Sequence, residues 1–139
     1  MLKLTIPGPP CAKQRTRITR RGFAFTPAKT VHYETFIKEL FVINYPDFKP
    51  LAGPVEINIA AYFSIPKGTS KRKQELMESG IIRRDKRPDC DNLLKIVADA
   101  LNQLAYADDG QIACSYIEKL YSRTPRLEIE IESPPLKSA

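Results

Sequence analysis

The stretch from Arg83 to Ile112, RRDKRPDCDNLLKIVADALNQLAYADDGQI, constrains the fold more than any other. Its middle reads as an amphipathic helix. At ~100° per residue, Asp91, Lys95, Asp99 and Asn102 fall on one face. Leu93, Leu94, Ile96, Val97, Ala100, Leu101 and Leu104 fall mostly on the other. One side must therefore bury itself in a core, while the other holds acids and one lysine at an edge. Pro88 and Asp89 stand at the helix start, and a second acidic pair, Asp108 and Asp109, follows the helix before Gly110.

Grouped carboxylates repel one another unless a cation neutralises them. A hard ion such as Mg²⁺ does so through oxygen ligands, takes only one or two protein carboxylates, and keeps positions open for water and substrate phosphate. Aspartates at the end of a helix can therefore load one or two such ions for phosphodiester hydrolysis. Lys95 can then serve a phosphate oxygen or the developing leaving-group charge. Each acid also has an ordinary structural use. Asp89 or Asp91 can cap the helix, acids near a helix N-terminus are favoured by its dipole, and Asp108-Asp109-Gly110 makes a good turn.

Charge distribution favours the chemical reading. The net charge is +6, but residues 1–30 hold seven basic side chains and no acid, including Lys13, Arg15, Arg17, Arg20 and Arg21. Residues 67–87 hold eight basic groups, Lys86 and Arg87 among them, against Glu75, Glu78 and Asp85. Residues 89–109 reverse the sign, with five aspartates against Lys95. An acidic spot enclosed by basic segments suits a nuclease, whose cations hold phosphates by counterion release.

The run RPDCDNLLKIVADALN, followed by YADDGQI, resembles the RusA family of Holliday-junction resolvases found in bacteria and their prophages. The matching residues are Asp89, Asp91, Asn92, Leu93 and Lys95 at the helix start, Asp99 to Asn102 at its end, and Asp108, Asp109, Gln111 and Ile112 in the turn. The opening PGPPCAKQRTR is similar as well. The resemblance implies a homodimeric endonuclease that cuts four-way DNA junctions by paired symmetric nicks in recombination and repair. It implies Mg²⁺, with Mn²⁺ as a substitute, held by Asp89, Asp91 and Asp109, with Asp108 as the alternative ligand and Lys95 essential nearby. Lys13, Arg15, Arg17, Arg20, Arg21, Lys86 and Arg87 are the candidate DNA contacts. The competing readings are a non-catalytic basic nucleic-acid-binding protein and a nuclease of the same fold acting on other branched DNA.

The expected fold class is α+β: one domain over residues 1–139, with a mixed β-sheet of about five to six strands, two long helices and one short helix. At 139 residues and 42% apolar content, a single core is within reach. Cys11, Cys90 and Cys114 are odd in number and lack C-x-x-C spacing, which argues against a disulfide framework or zinc ribbon. Cys90 reads as a small buried side chain. No stretch approaches the ~20 apolar residues of a membrane span, and the opening MLKLTIPGPP does not suit a signal peptide. The expectation is a cytoplasmic protein of a bacterial or phage-infected cell, with no membrane partner and no organic cofactor.

Along the chain, Leu2–Ile6 alternates as a strand. Residues 13–21 read as a basic strand returning through Phe23-Ala24-Phe25 after a turn at Arg21-Gly22, the two phenylalanines suiting the core better than an aromatic wedge on DNA. A helix is expected from a Thr26-Pro27 start to about Ile43, with a stripe of Val31, Tyr33, Phe36, Ile37, Leu40 and Phe41. Val55–Ile65 suits a central strand covered on both faces. Ser70 caps a short helix over Lys71–Ser79 that Gly80 stops. Ile81–Arg84 reads as a short strand, Gln111–Tyr121 and Arg126–Glu132 as longer ones, and residues 133–139 as a loose tail.

Overall fold

The computed structural model describes residues 1–136. In chain order it holds β1 (Leu2–Pro7), β2 (Arg17–Ile18), β3 (Ala24–Phe25), α1 (Ala28–Asn44), β4 (Val55–Ser64), α2 (Lys71–Glu78), α3 (Cys90–Leu101), a 3₁₀ turn (Asp109–Gln111), β5 (Ile112–Ser122) and β6 (Arg126–Glu132). The strands divide between a four-stranded mixed sheet, ordered β1-β6-β4-β5, and a two-stranded ribbon of β2 and β3. Only β4 and β5 pair in parallel. The architecture is α+β, as expected.

The period of two in the strands decides which sheet face is dry. Leu2, Leu4 and Ile6, then Leu127, Ile129 and Ile131, then Val55, Ile57, Ile59, Ala61 and Phe63 all turn to one side and are buried. Helix α3 adds Leu93, Ile96, Val97, Ala100 and Leu101 to the same core, and α1 adds Ile37 and Phe41. Each fully buried aliphatic side chain contributes roughly 1.5–3 kcal/mol of transfer free energy. The opposite sheet face is acidic: Glu132 pairs with Glu56 across β6 and β4, with Glu128 and Glu130 in the same row.

Several local expectations need correction. β4 is central but is covered on one face only, so its second face, with Glu56, Asn58, Ala60 and Tyr62, stays half-buried. Tyr62 is shielded there by the Arg126 guanidinium, 3.9 Å from the ring centroid. Helix α1 starts after Pro27, whose extended ψ of 140° puts it at the cap position that Thr26 was expected to fill. Because the apolar residues of α1 are spread round the helix among Lys29, Glu34, Lys38 and Glu39, its neighbours choose its buried face. They bury Thr30, Ile37 and Phe41 and leave Val31 and Phe36 exposed.

Residues 13–16 do not form a strand, because their backbone is tied to the helices: Lys13 N–H donates to Asn92 O at 3.0 Å and Gln14 N–H to Thr30 Oγ1 at 3.2 Å. Only the Arg17↔Phe25 and Ile18↔Ala24 pairs form a ladder. This ribbon projects from the core, so Phe23 (68% exposed) and Phe25 (45%) are not core residues. Ile81–Arg84 is also not a strand. The N–H groups of Ile81 and Ile82 both close the end of α2 on Leu76 O, where Gly80 takes φ of 82°, and are spent before they can join a ladder. Cys90 is exposed, not buried. Ser70 does cap α2, accepting from Lys73 N–H. Of the expected tail, residues 133–136 take no regular structure and residues 137–139 lie outside the described residues. No helix among the described residues is long and apolar enough to cross a membrane.

Candidate active site

Helix α3 lies between two depressions, and its first turn divides the acids between them. Asp89 is the residue before the helix, and Asp91 lies in its first turn. Asp89 keeps extended backbone at the cap and lines one depression, while Asp91, inside the helix, lines the other. Asp91 to Lys95 is one full turn, so those two share a side. A groove of about 350 Å³ between α3 and the start of β5 is lined by Asp91, Leu94, Lys95, Ala98, Asp109, Ile112, Ala113, Cys114 and Ser115. A cleft of about 690 Å³ on the other side is lined by Lys13, Arg15, Arg17, Lys29, Arg87, Asp89 and Asn92, among others.

The ordinary structural uses of the acids sort them. Asp89 occupies the cap position of α3, yet its side chain makes no cap hydrogen bond. Asp108 does cap: its carboxylate accepts from Gly110 N–H at 2.9 Å, and Gln111 returns the favour by accepting from Asp108 N–H at 3.0 Å. This reciprocal capping commits Asp108 and leaves the Asp109 carboxylate open to the groove. It also accounts for Gly110, where a Cβ would stand 2.7 Å from Asp108 Oδ2. The Gln111 amide then pins the turn to the 51–53 loop, donating to Leu51 O at 2.9 Å and Gly53 O at 2.8 Å. Beside it the β4–β5 register skips Ala113, a bulge of the kind that re-aims strands next to sites.

Lys95 Nζ reaches Asp99 Oδ1 at 3.1 Å across one turn. Asp99 Oδ2 receives a second ammonium, Lys13 Nζ, at 3.2 Å, and Lys13 is also paired with Glu34. Burial opposes the Lys13 charge, but its hydrogen bonds to Glu34 and Asp99 outweigh burial and raise its pKa. Lys13 is thus committed to carboxylates on α1 and α3. Arg15, Arg17, Arg20, Arg21, Lys86 and Arg87 are exposed, Arg20 and Arg21 at the ribbon tip.

Of the expected ligands, Asp91 and Asp109 share a groove with Lys95, and Asp89 lines the basic cleft. Among the described residues no three His, Cys, Asp or Glu side chains stand close enough to hold an ion together. A pair of carboxylates with open water positions still matches the modest protein ligation that Mg²⁺ requires, so the oxygen donors of the groove fit a hard divalent cation. Sequence reasoning counted Lys29 only among the basic residues of the N-terminal segment, and it named Gln111 in the turn motif without a role, because that role depends on a loop 60 residues away.

An α+β domain that sets unspent carboxylates and a lysine beside a basic cleft has the makings of a phosphodiester-cleaving protein. The family model described as "Endodeoxyribonuclease RusA" matches residues 7–132, and the chain belongs to that family. The nuclease class and DNA as partner follow from that membership. A relative from Bacillus subtilis (strain 168), described as "Uncharacterized protein YqaN", is 35% identical over 135 residues, covering 94% of each chain.

Proposed function

We propose that this protein is a Mg²⁺-dependent endonuclease that resolves four-way DNA junctions, acting as a homodimer that nicks two symmetry-related strands. The observation that carries the reading is the groove lined by Asp91, Asp109 and Lys95, with α3 between it and a cleft lined by the unpaired Arg15, Arg17, Lys29 and Arg87. Asp91 and Asp109 would hold the ion, with Asp89 joining from the neighbouring side when DNA draws the two together. When bound, Mg²⁺ supplies a water of lowered pKa and charge stabilisation at phosphorus.

The chain's own groups do the rest. Arg15, Arg17, Lys29 and Arg87 hold phosphates of the strand entering the cleft, and Arg20 and Arg21 extend that track along the ribbon. Lys95 turns from Asp99 toward a non-bridging phosphate oxygen and offsets the charge that grows there. Phe23 and Phe25, exposed on the ribbon, suit an aromatic wedge against unstacked bases. The acidic sheet face repels DNA and so favours approach from the helix side. Two-fold substrates match two-fold proteins, which is the reason to expect a dimer.

The test compares a synthetic four-way junction with linear duplex, with and without Mg²⁺, for the native protein and Asp91→Asn. Junction cleavage at symmetric positions is expected. Asp91→Asn should slow it by more than the ~10–100-fold that loss of an outer ligand partner costs, while junction binding is kept or tightened. Tight binding with no cleavage at any Mg²⁺ concentration would leave a nucleic-acid-binding protein. Equal cutting of other branched DNA would remove junction selectivity.

A further inference from the structure

The segment from Lys86 to Pro88 delivers the chain to Asp89, and it has no regular structure of its own. Three successive carbonyl oxygens in it are nonetheless taken by two cations. Lys119 Nζ donates to Lys86 O at 2.7 Å and to Pro88 O at 3.0 Å. Arg84 donates to Arg87 O through both Nε at 2.9 Å and Nη2 at 2.7 Å. The two cations are linked as well: Arg84 N–H donates to Lys119 O at 3.3 Å. The Arg84 guanidinium is held in turn 4.5 Å from the centroid of the Phe63 ring.

Lys119 is on an unusual side of its strand. It pairs with Ala61, while its neighbours Ile117 and Tyr121 pair with Ile59 and Phe63. Paired residues point to the same face, so Lys119 rises from the core-lining side of the sheet, under the entry to α3. A lysine there cannot lie on DNA as a surface cation does. Its ammonium has three donors, and two are spent on carbonyls two residues apart. Hydrogen bonds to charged donors are about twice as strong as neutral ones, so these bonds fix a loop that has no ladder to hold it. A trans peptide points its N–H opposite its carbonyl, so the Arg87 and Asp89 amides turn away from Lys119. Neither finds a protein acceptor among the described residues.

We propose that Lys119, with Arg84, is a positioning residue that holds Lys86–Asp89 in the conformation presenting Arg87 and Asp89 to the substrate, and that it is not itself a phosphate contact. The inference rests on the proposed nuclease reading, since that reading gives Asp89 and Arg87 their roles. Outer partners of this kind are worth ~10–100-fold in metal affinity or activity.

Lys119→Met keeps the aliphatic stem and removes the ammonium, and Arg84→Gln removes the guanidinium fork. For both, single-turnover cleavage of a four-way junction should fall ~10–100-fold at limiting Mg²⁺ and recover in part as Mg²⁺ is raised. Junction affinity should weaken only a few-fold, through a less well placed Arg87 that keeps its charge, and the salt slope should change by less than about one unit. Amide hydrogen exchange should accelerate at Arg84 and Leu93, whose N–H groups donate to Lys119 O and Asp89 O at the two ends of the segment, and remain unchanged in β1 and β6. A salt slope shallower by about one unit would make Lys119 a phosphate contact and overturn the proposal. Unchanged exchange at Arg84 and Leu93, exchange accelerated equally throughout the sheet, or full cleavage by Lys119→Met at limiting Mg²⁺ would each overturn it too. Native protein that leaves the junction intact would instead defeat the nuclease reading, with the exchange comparison still deciding whether Lys119 holds the loop.

Discussion

Asp99→Asn strips the charge from a carboxylate that two lysines share, and the structure says how unequal the two losses are. Lys95 is 58% exposed at its side chain, so its i,i+4 pair with Asp99 is worth only about 0.3–0.5 kcal/mol. Lys13, Asp99 and Glu34 are 24%, 23% and 17% exposed. At that depth a hydrogen bond to a charged group is worth about 1.5–3 kcal/mol. Asp99→Asn leaves Lys13 with Glu34, and Glu34→Gln leaves it with Asp99, so each single change should cost about 1–2 kcal/mol. The double variant leaves a largely buried ammonium with no carboxylate, a situation that costs about 3–5 kcal/mol. The combined loss should therefore exceed the sum of the singles by about 1 kcal/mol. In a chain of this size that excess is about 3–5 °C in Tm. Urea unfolding of the four proteins at neutral pH measures the cycle directly. The sign for Lys13 also fixes the conditions: its pKa is raised above the ordinary 10.5, so its contribution is complete below that pH and is lost only as pH rises through the raised value. Additivity within about 0.5 kcal/mol would refute the shared-ammonium account and return Lys13 to the set of free cations available to DNA.

Arg15→Ala combined with Arg17→Ala should weaken junction binding and flatten its log–log salt dependence by about one to two units. An unchanged slope in filter-binding or anisotropy titrations would take the ribbon off the DNA surface. Tyr106 is buried, and burial first, then the negative charges of Asp109 and Asp99, push its hydroxyl well above the ordinary 10.0. A raised value for a group that is neutral when protonated means stability that is whole below about pH 10 and lost above it. Tyr106→Phe removes the 2.8 Å hydrogen bond to Ala98 O and should cost about 1–3 kcal/mol at pH 8, with a weaker alkaline decline than the native protein in urea melts.

The parts of the fold set by local rules were legible in the residues. Arg126–Glu132 alternates so regularly that the strand ends where the sequence says it does. Ser70 and Gly80 bound α2 through cap chemistry that needs no tertiary partner. The inward face of α3 followed from its period. The misreadings all arose where a distant segment decided. The buried side of α1 depends on where α3 and β1 lie against it. The backbone of residues 13–14 is claimed by Asn92 and Thr30, which no local pattern announces. At the candidate site the D-x-D spacing looked like one cluster, yet a helix start turns its two carboxylates to different sides. Lys119 did carry a signal: within β5 it shares parity with Ile117 and Tyr121, and a lysine on the inward parity of a strand needs a partner inside.

The same sorting changes what the chain's basic character means. Residues 1–30 hold seven cations and no acid, which suggests seven contacts to DNA. Lys3 lies near Glu130 on the acidic sheet face at 3.8 Å, and Lys13 is held by Glu34 and Asp99. Five remain: Arg15, Arg17, Arg20, Arg21 and Lys29. Residues 83–87 behave alike, with Arg84 turned to Arg87 O and Arg83 paired with Glu118 at 3.1 Å, which leaves Lys86 and Arg87. Of these seven, Arg15, Arg17, Lys29 and Arg87 line the basic cleft, and Arg20, Arg21 and Lys86 stand on the segments beside it. Counterion release counts phosphates neutralised, not lysines and arginines in the sequence. A protein that spends part of its basic charge on bracing the site and sets four unpaired cations in the cleft gains steering without surrounding the groove carboxylates with mobile positive charge. On the proposed reading, that separation keeps Asp91 and Asp109 open to a cation while the cleft holds the DNA that flanks the phosphate to be cut.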